Sequence, residues 1–308
     1  MSALSRAAGE PAPAVAEATP LAWIYASFAD GVGGGNPAGV VLSATPLPRH
    51  AAQAIASALS LPTTGFVVTP PAGKERAVDV RFFTPEREIG ACGHVTIAVA
   101  TALVERGIWR WGDEVTVRTE GGDFALRLRD GLVAMTQQLA FIAPAVVRWP
   151  EVQAALGPVE AHPSLPLASA GTGLRHLIVP VADVAQLAAL ELDAARIAAL
   201  ARGAGVDTIC VFTPIERGRA RVRDLCAAIG AVEEAASGTT AATLALYLER
   251  SDGDRLLDDE LVVEQGVEMG RPSRLEVSVV AYDAAVVRGR ARRLLTGRLE
   301  QWSNGGGA

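Results

Sequence analysis

The chain has 308 residues, of which half are hydrophobic and a fifth charged, with a net charge of −6 and three cysteines. This composition is typical of a globular protein with a sizeable core, and the length allows two domains. The interspersed charges form no basic block, which argues against nucleic acid or a membrane surface as a partner. The cysteines follow neither a disulfide-framework nor a metal-ligand spacing. We therefore expect no metal and a cytoplasmic location.

The two ends of the chain differ in composition from the rest. Residues 1–20 are rich in Ala and Pro and lack the apolar core of a signal peptide, so we predict a disordered N-terminal extension. Residues 303–308 predict a flexible tail. No apolar run in the sequence is long enough to span a bilayer.

The first half combines strand patterns with two helical ones. The predicted elements are a strand at 21–29, a Gly-rich loop and strand at 30–42, a helix at 48–60, strands at 65–70 and 77–85, a helix at 93–107 and antiparallel strands across 113–140. The helix at 93–107 is apolar or small on every side. Such a helix is normally buried on every face.

The second half repeats this arrangement. It predicts a strand at 175–183, a helix at 194–205, strands at 207–215 and 220–229, a helix at 237–253 and strands at 261–268 and 274–282. The helix at 237–253 again consists largely of small and apolar residues.

Two segments of the chain resemble one another. Glu88 stands four residues before Cys92 and a helix that ends in Glu-Arg, and Glu233 stands four residues before Ser237 and a similar helix. The shift between Cys92 and Ser237 is 145 residues, which is close to half the chain. Chance would explain so short a match, but a duplication of two β-rich halves, each around one apolar helix, accounts for both copies.

Each of these helix starts suits an anionic ligand. The first turn of a helix has free N–H groups and the positive end of the dipole, and glycine at Gly93 and Gly238 lets a ligand approach the backbone. A cysteine at such a position, Cys92, is expected to have a lowered pKa. Two helix starts that face one cleft could pass a proton to and from a substrate without a cofactor.

Structural explanations compete with this functional one. Cys210 and Cys226 lie in apolar runs and are expected in the core. His94 could be a capping or core histidine, and Ser237 could be only the N-cap of its helix. Glu233 and Glu234 could form a solvated first turn.

Four blocks together resemble the PhzF-like (phenazine biosynthesis isomerase-like) family, whose fold is the diaminopimelate epimerase-like fold. They are the stretches at 34–42, 81–100, 233–248 and 264–277. The resemblance implies an α+β protein with two pseudo-repeated domains, each a β-barrel-like sheet around a central helix. It implies a homodimer, no cofactor, and an active site between the domains. We place the first domain at 21–140, completed by 283–302, and the second at 141–282.

The resemblance carries over residue by residue. The Gly-His pair of the family is kept as Gly93-His94, and Glu234 takes the place of its functional aspartate. Thr63 stands where the family usually has a glutamate, the main base of the phenazine isomerases. In the epimerase and racemase branches of this fold a cysteine precedes each glycine, and here these positions hold Cys92 and Ser237. A cysteine paired with a hydroxyl residue resembles the relatives that dehydrate hydroxyproline.

The resulting hypothesis is a cofactor-independent isomerase or epimerase. It moves a proton at a carbon next to a carboxylate or carbonyl of a small amino-acid-like or hydroxy-acid metabolite. The candidate catalytic residues are Cys92 (the preferred base or acid), His94, Glu234 and Ser237, and the candidate substrate-binding residues are Asn36, Gly93, Gly238 and Thr239. Two alternatives remain open. One is a dehydratase of a β-hydroxy amino acid that uses Cys92 and Ser237. The other is a binding protein that lost its activity when Thr63 replaced the glutamate usual in the family.

Overall fold

The computed structural model describes residues 20–69 and 76–299. Residues 1–19 of the predicted extension and the predicted tail at 303–308 lie outside the described residues. The described chain is an α+β protein, as expected from the sequence. Within it, no helix combines the length and apolar character needed to span a bilayer.

The first half contains eight strands and two helices in the described residues. They are β1 (Leu21–Ser27), β2 (Asn36–Ser43), α1 (Arg49–Leu59), β3 (Thr63–Val68), β4 (Ala77–Phe83), β5 (Glu88–Ile89), α2 (Gly93–Glu105), β6 (Glu114–Arg118), β7 (Phe124–Arg129) and β8 (Leu132–Gln138).

The second half repeats this order with additional helices. Its elements are β9 (Phe141–Pro144), α3 (Trp149–Leu156), β10 (Ala168–Gly171), β11 (Arg175–Pro180), α4 (Val184–Ala188), α5 (Ala194–Ala204), β12 (Thr208–Glu216), β13 (Arg219–Leu225), β14 (Glu233–Glu234), α6 (Gly238–Leu256), β15 (Leu261–Gln265), β16 (Ser273–Ala281), β17 (Ala284–Gly289) and β18 (Ala291–Arg298).

The strand order shows the duplication. Hydrogen-bonded pairs run β18-β1-β2-β3-β4-β6-β7-β8 and continue as β17-β16-β15-β13-β12-β11-β10-β9, with β5 beside β4 and β14 beside β13. Parallel pairs fall at matching places, β2 with β3 and β11 with β12, then β4 with β6 and β13 with β15. The two halves therefore meet at β8 and β17 as two copies of one arrangement.

The same ion pair occurs once in each half. Arg81 on β4 donates through Nε and Nη2 to both carboxylate oxygens of Glu88, at 2.7 and 3.0 Å. Arg223 on β13 donates in the same way to Glu233, at 2.9 and 2.7 Å. Each pair joins the strand before a central helix to the short strand that leads into it. The glutamates of the sequence repeat are thus structural residues that fix the approach to the two helices.

The two central helices lie in the core. In α2 every residue from His94 to Leu103 is buried, which confirms the expectation for a helix that is apolar on all sides. In α6 the buried positions include Ala241 to Leu248. Cys210 and Cys226 are also buried, as expected, and all three cysteines are free.

Some boundaries differ from the sequence predictions for local reasons. The strand predicted at 220–229 ends at Leu225, because Ile229 N–H turns back to the carbonyl of Cys226. The strand predicted at 261–268 ends at Gln265, because Gly266 has φ of +74°. A side chain at Gly266 would also meet the carbonyl oxygens of Arg271 and Ala235 at 2.5 and 2.6 Å. The sequence interpretation did not include α3 and α4.

The end of the described chain connects both halves. β17 pairs with β16 on one side and with β8 on the other, and β18 pairs with β1. The domain limits expected from the sequence, 21–140 with 283–302 and 141–282, stay a prediction.

Candidate active site

The starts of α2 and α6 lie over the junction of the two halves. A methyl group placed on Gly93 would come within 3.2 Å of Met135 Cε, and one placed on Gly238 within 3.7 Å of the same atom. Met135 on β8 is the cross-strand partner of Val287 on β17. Both glycines are thus adjacent to one methionine side chain, and the two helix starts share one region of the molecule.

Glu234 is held by the other half of the protein. Its Oε2 accepts a hydrogen bond of 2.7 Å from Asn36 Nδ2, which also donates to the carbonyl of Ala236 at 2.9 Å. The Glu234 carbonyl accepts from Gln265 Nε2 at 2.8 Å. Burial, together with the charge of Asp224, raises the pKa of Glu234 to about 7. This carboxyl group can therefore gain or lose a proton near neutral pH.

Asn36 makes its polar contacts within the protein. Its side chain is buried and its amide group donates to Glu234 and Ala236, while the substrate contact expected from the sequence stays a prediction. An amide nitrogen carries two hydrogens, so both are used within the protein. Asn36 orients the Glu234 carboxylate.

Cys92 and His94 form a close pair at the start of α2. Cys92 Sγ lies 3.4 Å from Nδ1 of His94. Burial raises the pKa of Cys92 to about 12, although the N–H groups of Val95 and His94 act in the opposite direction. The expectation of a lowered thiol pKa is therefore wrong, because desolvation outweighs the helix start. Cys92 is a neutral thiol at physiological pH.

His94 is neutral for the same reason. Burial lowers its pKa to about 4, while the backbone carbonyl of Pro37 acts against this. The peptide carbonyl of His94 accepts a hydrogen bond of 2.6 Å from Ser27 Oγ. A neutral imidazole beside a neutral thiol has one nitrogen without a proton, which is available to receive one.

Thr63 lies beside this pair and not at a distance from it. Its buried hydroxyl donates to the carbonyl of Pro62 at 2.8 Å and also contacts Cys92, whose pKa it lowers against the effect of burial. A hydroxyl cannot act as the carboxylate that the family usually has at this position. The first half therefore offers a histidine and a cysteine, but no carboxylate at position 63.

Ser237 is the N-cap of α6. Its Oγ accepts from the backbone N–H of Thr240 at 3.3 Å and lies 3.0 Å from Thr239 Oγ1 and 2.9 Å from Thr240 Oγ1. Its own N–H donates to Gln265 Oε1 at 3.2 Å. The capping explanation of Ser237 is confirmed. The side chain also belongs to a cluster of three hydroxyl groups at the helix start.

Three further polar residues lie below Ser237, and sequence reasoning did not identify them. Thr240 Oγ1 donates to Asp224 Oδ2 at 2.6 Å and lies 3.0 Å from His176 Nε2. Asp224, Thr240 and His176 are all buried. The only sequence signal was Asp224 itself, an acidic residue inside the otherwise alternating strand "RARVRDL".

This cluster is specific to the second half. The shift of 145 residues places Val95 at the position of Thr240, and the strand registers place Phe82 at that of Asp224 and Ala38 at that of His176. The first half is apolar where the second half is polar. The two helix starts are alike in backbone and different in chemistry.

The described residues contain no group of three or more His, Cys, Asp or Glu side chains arranged to hold a metal ion. The ionisable side chains of the site are instead Cys92, His94, His176, Glu234 and Asp224, of which the last two lie on adjacent strands.

Comparison with known proteins agrees with this architecture. The family model of phenazine biosynthesis-like proteins, PhzC-PhzF, matches residues 25–297. The chain belongs to this family. A similar structure, the phenazine biosynthesis protein of the PhzF family from Bacillus anthracis, has a TM-score of 0.80 at 23% identity and covers 92% of this chain and 99% of its own. The diaminopimelate epimerase-like fold expected from the sequence is confirmed.

Relatives within the phenazine biosynthesis-like family are named isomerases. An uncharacterized isomerase of Deinococcus radiodurans is 36% identical, over 82% of this chain and 85% of its own. The trans-2,3-dihydro-3-hydroxyanthranilate isomerase of Pseudomonas fluorescens is 31% identical, over 88% of this chain and 91% of its own. The chain is therefore an enzyme of an isomerase family, as the sequence indicated.

Proposed function

We propose that this chain is a cofactor-independent isomerase that moves a proton at a carbon next to a carboxylate or carbonyl of a small amino-acid-like or hydroxy-acid metabolite. The observation that carries the proposal is Glu234, a half-buried carboxyl group with a pKa of about 7 that is fixed by Asn36 from the other half. A proton carrier works best when its pKa is close to the working pH.

The proposal assigns opposite tasks to the two helix starts. Glu234 donates a proton to one carbon of the substrate. The neutral imidazole of His94, a weaker proton carrier because its pKa is about 4, receives the proton that leaves another. The proton balance is closed when Glu234 regains a proton from water and His94 releases one. Cys92, 3.4 Å from the imidazole, orients His94 as a neutral neighbour and is not the base.

A carboxylate of the substrate would bind at the helix starts. The first-turn N–H groups of a helix have no helical acceptor and favour an anion. Gly93 and Gly238 carry no side chain that would cover the backbone there, and Thr239 adds a hydroxyl at 3.0 Å from Ser237. Stabilisation of the negative charge that develops on proton loss is the main task of such donors.

Ser237 has a smaller part than the sequence hypothesis gave it. Its hydroxyl is engaged with Thr239, Thr240 and the backbone of α6. A dehydratase that pairs Cys92 with Ser237 needs a basic thiolate, and burial raises the Cys92 pKa to about 12. The isomerase is for this reason preferred over the dehydratase. A homodimer remains a prediction from the resemblance.

Incubation in D₂O tests the proposal directly. The substrates are trans-2,3-dihydro-3-hydroxyanthranilate, the compound named for the Pseudomonas fluorescens relative, and a panel of free α-amino and α-hydroxy acids. Mass spectrometry that finds deuterium in a recovered or rearranged compound, with no loss of water, supports the isomerase. Loss of water would indicate the dehydratase, and a compound that raises the melting temperature without exchanging hydrogen would indicate a binding protein.

A further inference from the structure

Asp224 and Glu234 are directly opposite one another on two adjacent strands. They are partners in the antiparallel pair β13 and β14. Side chains of such partners project from the same face of the sheet, with Cβ atoms about 4.5–5.5 Å apart. Asp224 is buried, and Glu234 is only partly accessible. Two carboxyl groups therefore share one desolvated space.

The arginines of these strands lie on the other face. Arg219, Arg221 and Arg223 occupy alternate positions of β13 and bind the carboxylates of Glu264 and Glu233. Because side chains alternate along a strand, the residue between Arg223 and Leu225 faces away from all three. No arginine of β13 neutralises Asp224.

The other groups around the pair are neutral or acidic. Cys210 is the cross-strand partner of Asp224 on β12, and Cys226 lies two residues after Asp224 in the sequence. Burial raises the pKa of both thiols well above the ordinary value. His176 from β11 reaches Asp224 only through Thr240, and burial lowers its pKa to about 4.

The remaining neighbours of the pair come from the first half and from β14. From the first half, the Asn36 amide contacts Glu234, and the neutral Cys92 lies near it. Glu233 is acidic and is paired with Arg223 on the opposite face. At neutral pH no cation faces the two carboxyl groups from these elements.

Two like charges on facing positions of adjacent strands, one buried and one half-buried, cannot both form cheaply. When two carboxylates share a site, the pKa of one is strongly raised, and the pair titrates in two coupled steps. Burial raises the pKa of Asp224 to about 6, and burial and Asp224 together raise that of Glu234 to about 7.

One short hydrogen bond stabilises a negative charge on Asp224. Asp224 Oδ2 accepts from the Thr240 hydroxyl at 2.6 Å, the short distance expected for a charged acceptor. Thr240 in turn lies within 3.0 Å of His176 Nε2 and 2.9 Å of Ser237 Oγ. The Thr240 hydroxyl has one hydrogen. When this hydrogen is donated to Asp224, the Ser237 hydroxyl can donate its own to Thr240 Oγ1. Glu234 likewise accepts from one side chain, Asn36, and Asp224 Oδ1 has no hydrogen-bond partner in the described structure.

We propose that Asp224 and Glu234 form a coupled carboxyl pair that holds one proton near neutral pH, and that Asp224 is the positioning residue that keeps this proton on Glu234. The inference deepens the proposed function and rests on it for its purpose, since Glu234 must be protonated to donate. It assigns a role to the polar cluster that only the second half contains. Asp224 does not touch the substrate and acts through Glu234.

Carbon-13 NMR titration tests the pair without a substrate. Protein labelled at the glutamate side-chain carboxyl carbon is titrated from pH 4 to 10, and the Glu234 signal is identified by its loss in Glu234→Gln. In Asp224→Asn we expect the Glu234 midpoint to fall by about one pH unit, since a neutral amide no longer disfavours its ionisation. Asp79→Asn, which removes an exposed carboxylate of the matching strand β4, should leave the midpoint unchanged.

The reciprocal experiment keeps the test valid if Asp224→Asn does not fold. With aspartate labelled instead, the Asp224 midpoint should fall in Glu234→Gln. In the wild type, the Glu234 curve should show two coupled steps. An unchanged Glu234 midpoint in folded Asp224→Asn would overturn the pair, and so would a single Glu234 step near the ordinary value of 4.5 in the wild type. Uncoupled titration with normal deuterium exchange would overturn the pair alone, and coupled titration without exchange would overturn the proposed function alone.

Discussion

Asn36 Nδ2 donates a hydrogen bond of 2.7 Å to Glu234 Oε2, although 198 residues separate the two in the chain. Asn36 begins β2 in the first half, and Glu234 ends β14 in the second. The proton carrier of one half is therefore oriented by the other, and an intact interface between the halves is a condition for the proposed chemistry.

Replacement of Asn36 tests this link. Asn36→Ala leaves Glu234 and the Ala236 carbonyl without their donor, so the free energy of unfolding should fall by about 1–3 kcal/mol. The pKa of Glu234 should rise further, because the hydrogen bond from Asn36 lowers it. Urea unfolding and carbon-13 titration measure the two effects. Gln53→Ala is the matched control, since Gln53 donates to the carbonyls of Thr84 and Pro85. It should destabilise the protein and leave the Glu234 titration unchanged.

The two equivalent ion pairs should differ in their contribution to stability. The side chains of Arg223 and Glu233 are 6% and 5% exposed, whereas those of Arg81 and Glu88 are 41% and 13% exposed. Glu233→Gln leaves a buried arginine unpaired and should cost about 3–5 kcal/mol. Glu88→Gln should cost about 1 kcal/mol or less. Equal losses in urea unfolding would contradict the assigned difference in burial.

The stability of Glu234→Gln relative to the wild type should depend on pH. The folded pKa of Glu234, about 7, exceeds its ordinary value of 4.5, so the folded state binds the proton more tightly than the unfolded state. Wild-type stability from this group is present below pH 4.5 and is lost as pH rises to about 7. Glu234→Gln has no such loss. The difference between its unfolding free energy and that of the wild type should therefore grow in favour of the variant across this pH range and stay constant above it. A constant difference would show that burial does not raise this pKa.

The reactivity of Cys92 should reflect a neutral thiol. The thiolate is the reactive form, and burial raises the Cys92 pKa to about 12. Alkylation by iodoacetamide in the folded protein should therefore be slow at pH 7.5 and rise about tenfold per pH unit up to pH 10. Mass spectrometry of the modified peptide, with Cys92→Ala as the negative control, gives the rate. A plateau near pH 7 would show that the helix start outweighs burial.

The sequence predicted the parts of the fold that repeat. The apolar composition of α2, the matching start of α6 and the glutamates at Glu88 and Glu233 were enough to place the two helices and to indicate two similar halves. Helices α3 and α4 were missed because they are short and occur in the second half alone. The strand pairs that join the halves, such as β8 with β17, depend on long-range contacts that local periodicity does not contain.

The sequence identified several residues of the candidate site but not their protonation states. Cys92, His94 and Glu234 were identified from the repeat and the family resemblance, yet the protonation state of each follows from burial by distant segments. Burial reverses the expected direction for Cys92 and gives Glu234 a pKa near neutrality. Asp224 was missed because strand alternation puts it on the face of Ala220 and Val222 but does not show which groups cover a carboxylate there. Its burial depends on its cross-strand partner Cys210 and on Thr240 of α6.

The central claim is that the transferred proton passes through Glu234. The most direct measurement is deuterium incorporation from D₂O into the substrate found in the panel, by the wild type and by Glu234→Gln, with circular dichroism to verify that both are folded. Removal of one general acid should reduce the rate of exchange by about 10²–10⁴-fold. An exchange rate in folded Glu234→Gln equal to that of the wild type would contradict the account.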